Sequence, residues 1–243
     1  MEYFFDTVET IVPGVGFALY GGQHLLWLGA FLLITAANVT PYKKLDAKGR
    51  GKWRKVVAVL VVLNELFKHV CLLIGGNFMA KYLPLHLCSI NIFTIAFHTW
   101  KPSGFLGNFL YTICIPGAMA ALLFPAWSNL PVTSIMHVHS FTSHILLVMY
   151  PAVLTVAGEI KPDWKMIPHC MVLLLAMAAL ALGINLLLDT NFMFLMHASP
   201  GNPLTLFERL WGSHLFGFPV IIACVLLVMH LPIVIYRKLK KKQ

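Results

Sequence analysis

The stretch VVAVLVVLNELFKHVCLLIGG, Val56–Gly76, decides how the chain folds. At about 1.5 Å of rise per residue it makes a helix of about 31 Å, the thickness of a bilayer's hydrocarbon core. Yet it carries Glu65, Lys68 and His69. Groups of this kind cost several kcal/mol each in lipid unless they face a bundle interior and find partners there. Their spacing of i, i+3 and i+4 puts all three on one stripe, with Glu65 placed to neutralise Lys68 or to orient His69. Just ahead lie Lys43, Lys44, Lys48, Arg50, Lys52, Arg54 and Lys55. The excess of positive charge in cytoplasmic loops puts that segment inside, so the span runs outward and its polar stripe falls in the middle to outer half.

The rest of the chain agrees with this reading. Apolar residues make up 59% and charged ones 11%, with a mean hydropathy of +0.80, against about 25% charged in soluble domains. Seven spans are expected, at 18–38, 56–76, 82–99, 104–124, 134–157, 168–188 and 215–236, making an all-α polytopic bundle in one transmembrane domain over 1–243. Seven crossings place the 43–55 loop and the tail with Arg237, Lys238, Lys240, Lys241 and Lys242 on one side, the N-terminus outside and the C-terminus cytoplasmic. Lys101, Lys161 and Lys165 fall inside as well, while the opposite face has only Lys81 and Arg209. The net charge of +9 is therefore an inside-positive signature and calls for no nucleic acid. The acidic start MEYFFDTVET lacks a basic n-region, so the first apolar segment is expected to stay as a span. No internal repeat of the inverted transporter kind is visible.

Depth sorts the remaining polar residues. His24 opens the first span on the outer side. His86, Cys88 and Asn91 fall in the outer half of the third, and His137, His139 and His144 in the outer half of the fifth. Asn185, Asp189 and Asn191 end the sixth, with His197 beyond. Shared depth across five helices predicts one polar cavity open toward the non-cytoplasmic leaflet. His137 and His144, seven apart, share a face; His86 and Cys88, two apart in one helix, point about 160° apart, so the partner of Cys88 must come from another span. Bland readings compete. Glu65 with Lys68 can be a structural ion pair, and His137 and His139 can lie at the water interface. His98, His169 and His230 sit at cytoplasmic span ends and need no function.

The five cysteines are scattered singly through apolar segments, which argues against a disulfide framework or a CxxC metal site; four read as small buried hydrophobes. Cys88 differs in its polar neighbours. A thiolate with a histidine to take and return the proton can attack an acyl ester, and amide or imidazole N–H groups can hold the oxyanion. Phospholipid esters lie at about this depth. From another class, a solute or ion transporter would use Glu65, Asp189 and the histidines as a proton relay. A b-type haem protein would use paired histidines as axial ligands.

LPLHLCSINIF (83–93), HSFTSHILLVMYPAVLTVAGEIKP (139–162), LDTNFMFLMHASPGNPLTLFERLWG (188–212) and GGQHLLWL (21–28) resemble, in order, segments of the YwaF-type integral membrane protein and transmembrane protein 164 family. The resemblance implies a coenzyme-independent phospholipid acyltransferase that passes an acyl chain through a cysteine thioester to a lysophospholipid, with no metal and no cofactor. By position it implies Cys88 as nucleophile and His144 as general base. His86, Asn91 and Asn191 are then expected to contact the oxyanion or headgroup, with Glu65 and His69 behind them. The membrane is expected to be bacterial cytoplasmic or eukaryotic endomembrane, with the site toward the non-cytoplasmic leaflet.

Overall fold

A computed structural model describes residues 2–199 and 202–240. Every regular element among them is helical. The long helices are α1 (Gly22–Lys44), α2 (Ala47–Ile74), α6 (Ile135–Val156), α7 (Ile167–Leu188) and α9 (Gly217–Lys240). The shorter α4 (Gly104–Phe109) and α5 (Ile115–Leu123) join through a π-helical turn, Leu110–Cys114, into one rod. Pro116 explains the turn: it has no N–H for the carbonyl of Thr112 and its ring crowds that carbonyl, so the helix widens there. The remaining helices are α3 (Leu87–Trp100) and the amphipathic α8 (Leu204–Trp211). Lys241 and Lys242 of the basic tail, with Pro200 and Gly201, lie outside the described residues.

Six of these helices are long and apolar enough to cross a membrane. The third expected span differs. Its helix begins at Leu87 and has 14 residues, about 21 Å at the usual rise, because residues 83–86 form turns behind Pro84. The sequence pattern ran apolar straight through those turns, and hydropathy does not distinguish a helix from a buried turn.

Helix α6 is the axis of the bundle, with α1, α2, α3 and α5 packed around it. Phe141, Leu147, Tyr150, Val153 and Leu154 of α6 are fully buried. Pro151 leaves the carbonyl of Leu147 without its helical donor, and the thiol of Cys114 fills the vacancy at 3.4 Å. By contrast, Leu180 and Leu187 of α7 and Leu227 and Val228 of α9 are exposed, as lipid-facing surface should be.

Polar locks hold the two ends. At the basic end, Glu159 after α6 accepts from Tyr42 Oη (2.9 Å), Arg50 Nη1 (3.2 Å) and Arg54 Nη1 (2.5 Å), tying together α1, α2 and α6. At the other end the segment ahead of α1 caps the bundle. Phe4 carbonyl accepts from Ile135 N, Phe5 carbonyl from Asn77, and Phe17 N donates to Ser128 carbonyl. Gly16 is required by that approach, since a Cβ there would lie 2.2 Å from Ser128 O. Lys81 and the hydroxyl of Tyr82 both bond Glu9. Partial burial opposes ionisation of Glu9, but these bonds and the charge of Lys81 outweigh it and hold the carboxyl below its ordinary value.

Candidate active site

Beneath that cap lies a buried core of polar side chains bonded to one another, whereas their shared depth predicted an open polar cavity. Glu65 and Lys68 are each 5% exposed, and Lys68 Nζ donates to Glu65 Oε1 at 2.5 Å. His139, 8% exposed, donates from Nε2 to Glu65 Oε2 at 3.0 Å, with Ser143 Oγ 3.2 Å from the same nitrogen. Asn64 on α2 closes the set by donating to Ser143 Oγ (2.7 Å) and Thr142 Oγ1 (3.1 Å). Lys68 also reaches the carbonyl of Tyr82 at 3.5 Å, so Tyr82 connects this core to Glu9 of the cap. The Glu65–Lys68 pair is thus real, and the carboxylate has a histidine from another helix as its second partner.

Cys88 sits in the first turn of α3, half-buried against the hydrophobic core. His86 is the extended N-cap residue of that helix, not part of it, so the expected helical angle between the two does not apply. No side chain caps the helix; its first N–H with an acceptor is that of Ile90, on His86 O at 2.9 Å. The N–H groups of Leu87, Cys88 and Ser89 have no acceptor among the described residues. A cysteine in this position has the positive end of the helix dipole beside its sulfur. One turn further on, Asn91 is 2% exposed and its Oδ1 has no partner among the described residues. The His86 ring lies between Phe192 (5.2 Å) and Phe194 (5.9 Å), and its Nδ1 accepts from Met193 N at 3.4 Å.

His144 on α6 donates from Nδ1 to Ser140 O at 2.6 Å, which leaves the Nε2 lone pair free. Its ring stacks on Trp127 at 5.2 Å and 17°, and the indole N–H of Trp127 is buried without an acceptor among the described residues. No hydrogen bond joins Cys88 and His144 among the described residues, although α3 and α6, which carry them, pack together. The thiol of Cys114 reaches Leu147 O, one turn from His144.

Other expectations change. Asn191 holds its own loop, accepting from Met196 N (3.0 Å) and His197 N (3.3 Å) and donating one of its two N–H groups to His197 O (2.9 Å). The buried Asn185 shapes that loop, holding Phe192 N (2.7 Å), Phe192 O (3.0 Å) and Thr190 (2.9 Å). It thereby fixes Met193 and Phe194, both at positive φ, against His86. His69 bonds the carbonyl of Glu65 at 2.8 Å and stands 3.8 Å from its carboxylate. His137 and His139 are buried, not interfacial. His137 bonds Leu130 O and Trp27 Nε1, each at 2.9 Å, and is structural. Cys224 is exposed, whereas Cys71, Cys114 and Cys170 are buried. Sequence reasoning missed Asn64, Ser143 and Trp127; the i, i+4 spacing of His139 and Ser143 was the available signal for one of them.

An all-helical bundle of long apolar helices with a hydrogen-bonded polar core at its axis defines a multi-pass membrane protein. The sequence model of the TMEM164 family matches residues 19–231, and the chain belongs to that family. No curated protein and no solved structure gives a significant match.

Proposed function

We propose that this protein is a coenzyme-independent phospholipid acyltransferase working through a cysteine thioester. The observation that carries the reading is Cys88 in the uncapped first turn of α3, a helix packed against α6, which carries a histidine with a free Nε2. In this mechanism His144 takes the Cys88 proton, and the thiolate attacks the ester carbonyl carbon of a membrane phospholipid. A C–S bond forms, and the N–H groups of the α3 first turn hold the tetrahedral oxyanion. The C–O bond then breaks and the lysophospholipid leaves with the proton from His144. A second lysophospholipid hydroxyl, deprotonated by His144, attacks the thioester carbonyl carbon; a C–O bond forms, the C–S bond breaks, and the Cys88 thiolate takes the proton back from His144. Sulfur and imidazole meet when substrate is bound, as catalytic hydrogen bonds often tighten only then. Asn91 and His86 line the acyl or headgroup path, and Glu65 with His139 sets the electrostatics behind it.

The proposed orientation has seven crossings, the N-terminus outside, the C-terminus cytoplasmic and the site toward the non-cytoplasmic leaflet. The short α3 counts as a crossing because the turns of 83–86 continue its path inside the protein, where non-helical backbone is tolerated at membrane depth. The charge distribution supports this.

Incubation of the purified protein with phospholipid tests the reading. One hydroxylamine-labile acyl adduct on Cys88 is expected, absent in Cys88→Ser. Full transfer by Cys88→Ala, or an adduct on Cys71, would sink it. The buried Glu65–Lys68–His139 set favours one other reading, a proton-coupled transporter. Uptake lost in Glu65→Gln but kept in Cys88→Ala would select that alternative.

A further inference from the structure

The connection from α7 to α9 contains the short helix α8, LTLFERLW, whose side chains divide its circumference in two. At about 100° per residue, Leu204, Leu206, Phe207, Leu210 and Trp211 cover an arc of about 160°, and Thr205, Glu208 and Arg209 occupy the opposite one. Among the described residues only part of the apolar arc packs on protein. Leu204 is buried and Phe207 partly so, and both press on Gly217 at the start of α9. A Cβ at Gly217 would lie 2.6 Å from Phe207 Cδ2 and 2.8 Å from Leu204 Cδ2, so α8 is seated there at backbone distance. After Gly212 the chain turns back and His214–Phe216 packs beside the helix. These contacts fix the roll of α8. They leave Leu206, Leu210, Trp211, Leu215 and Phe216 as an apolar shelf, each 49% to 64% exposed.

We propose that α8 lies in the interfacial plane of the bilayer, with this shelf inserted among the acyl chains just below the headgroups and with Glu208 and Arg209 in water.

Three observations select lipid over a protein partner. The shelf runs on into Pro219 and Val220, exposed in the first turn of α9, which is long and apolar enough to cross a membrane, so the surface beside it is already lipid-facing. Trp211 stands at the end of the apolar arc, one turn from Glu208, where an indole with an apolar body and one polar atom favours the headgroup level. Glu208 and Arg209 are both exposed and of opposite charge, so the polar arc has no net charge. Insertion is therefore driven by buried apolar area and needs no anionic lipid. The same connection begins with Phe192 and Phe194 against His86, so the shelf anchors at the membrane surface the segment that holds the N-cap residue of α3.

The test is a spin-label depth scan of the full chain in phosphatidylcholine liposomes, on the cysteine-free background. Labels at Leu206→Cys and Leu210→Cys should be more accessible to oxygen than to a water-soluble nickel chelate, at a depth of about 5–10 Å. Labels at Glu208→Cys and Arg209→Cys should show the reverse. Added phosphatidylglycerol or raised salt should change neither. Nickel access at all four positions would put the shelf in water, and spin–spin broadening at Leu210→Cys would show a second copy covering it; either overturns the proposal. Deeper insertion with phosphatidylglycerol would overturn its charge independence. Trp211 reads the same surface with all cysteines in place. The emission lost in Trp211→Phe should be the part quenched by phosphatidylcholine brominated on its acyl chains and shielded from iodide, and the opposite pattern would overturn the insertion. None of these measurements involves acyl transfer, so they stand or fall apart from the proposed activity.

Discussion

Glu65 and His139 meet across the α2–α6 interface at 3.0 Å, and each is buried. They are 74 positions apart in the chain. The carboxylate thereby serves two cations or donors at once, Lys68 on its own helix and His139 on the axial one. This contact makes α2 and α6 a single electrostatic unit.

Removing one member should cost far more than removing the pair. Glu65→Leu leaves the Lys68 ammonium buried without its counter-charge and should destabilise the bundle by about 3–5 kcal/mol. Glu65→Leu combined with Lys68→Met should recover most of that loss. Thermal unfolding in a fixed detergent measures both, and additive losses would show that the two side chains do not act as a pair.

The two histidines of α6 that share a face should separate by phenotype. His144→Ala should lower acyl transfer about 10²–10⁴-fold with melting little changed, since its one bond is to its own helix. His137→Ala loses bonds to Leu130 and Trp27, and should lower stability by about 1–3 kcal/mol while the folded fraction keeps its turnover. Steady-state rates normalised to folded protein distinguish these outcomes. Equal turnover losses would remove the special role of His144.

Sidedness is open to direct measurement. In a cysteine-free background, Ala126→Cys, exposed at the capped end, should react with an impermeant maleimide added to intact cells. Lys48→Cys, exposed at the basic end, should react only after permeabilisation. The opposite pattern would move the Cys88 site to the cytoplasmic leaflet.

The cap should loosen in acid. Glu9 has a folded value below its ordinary one, so its bonds to Lys81 and Tyr82 stabilise the cap fully above the ordinary carboxylate value. That contribution is lost as pH falls through the depressed value. Hydrogen-exchange protection in residues 2–20, corrected for the intrinsic pH dependence of amide exchange, should therefore fall on acidification, and Glu9→Gln should abolish that change in protection. An unchanged acid response in Glu9→Gln would place the titrating group elsewhere.

What the sequence by itself determined is what one-dimensional pattern can encode. The apolar runs, the Lys/Arg asymmetry around 43–55 and the i, i+3, i+4 stripe of Glu65, Lys68 and His69 specify a helical membrane bundle with a buried polar core. They do so because lipid leaves an uncompensated charge or backbone group no other refuge. Family membership was legible too, in motifs that run in order along the chain. Tertiary structure decided the partners. Glu65 chose His139 over His69 because α6 brings an imidazole to the carboxylate, whereas His69, one turn along the same helix, reaches the backbone carbonyl first. Asn191 was claimed by its own loop, and Arg54 by Glu159, through chain crossings that no spacing rule contains. The start of α3 at Leu87 is shared between the two: Pro84 disfavours a helix through 83–86, and the contacts of His86 with Met193 and Phe192 hold the N-cap residue from which Cys88 opens the helix.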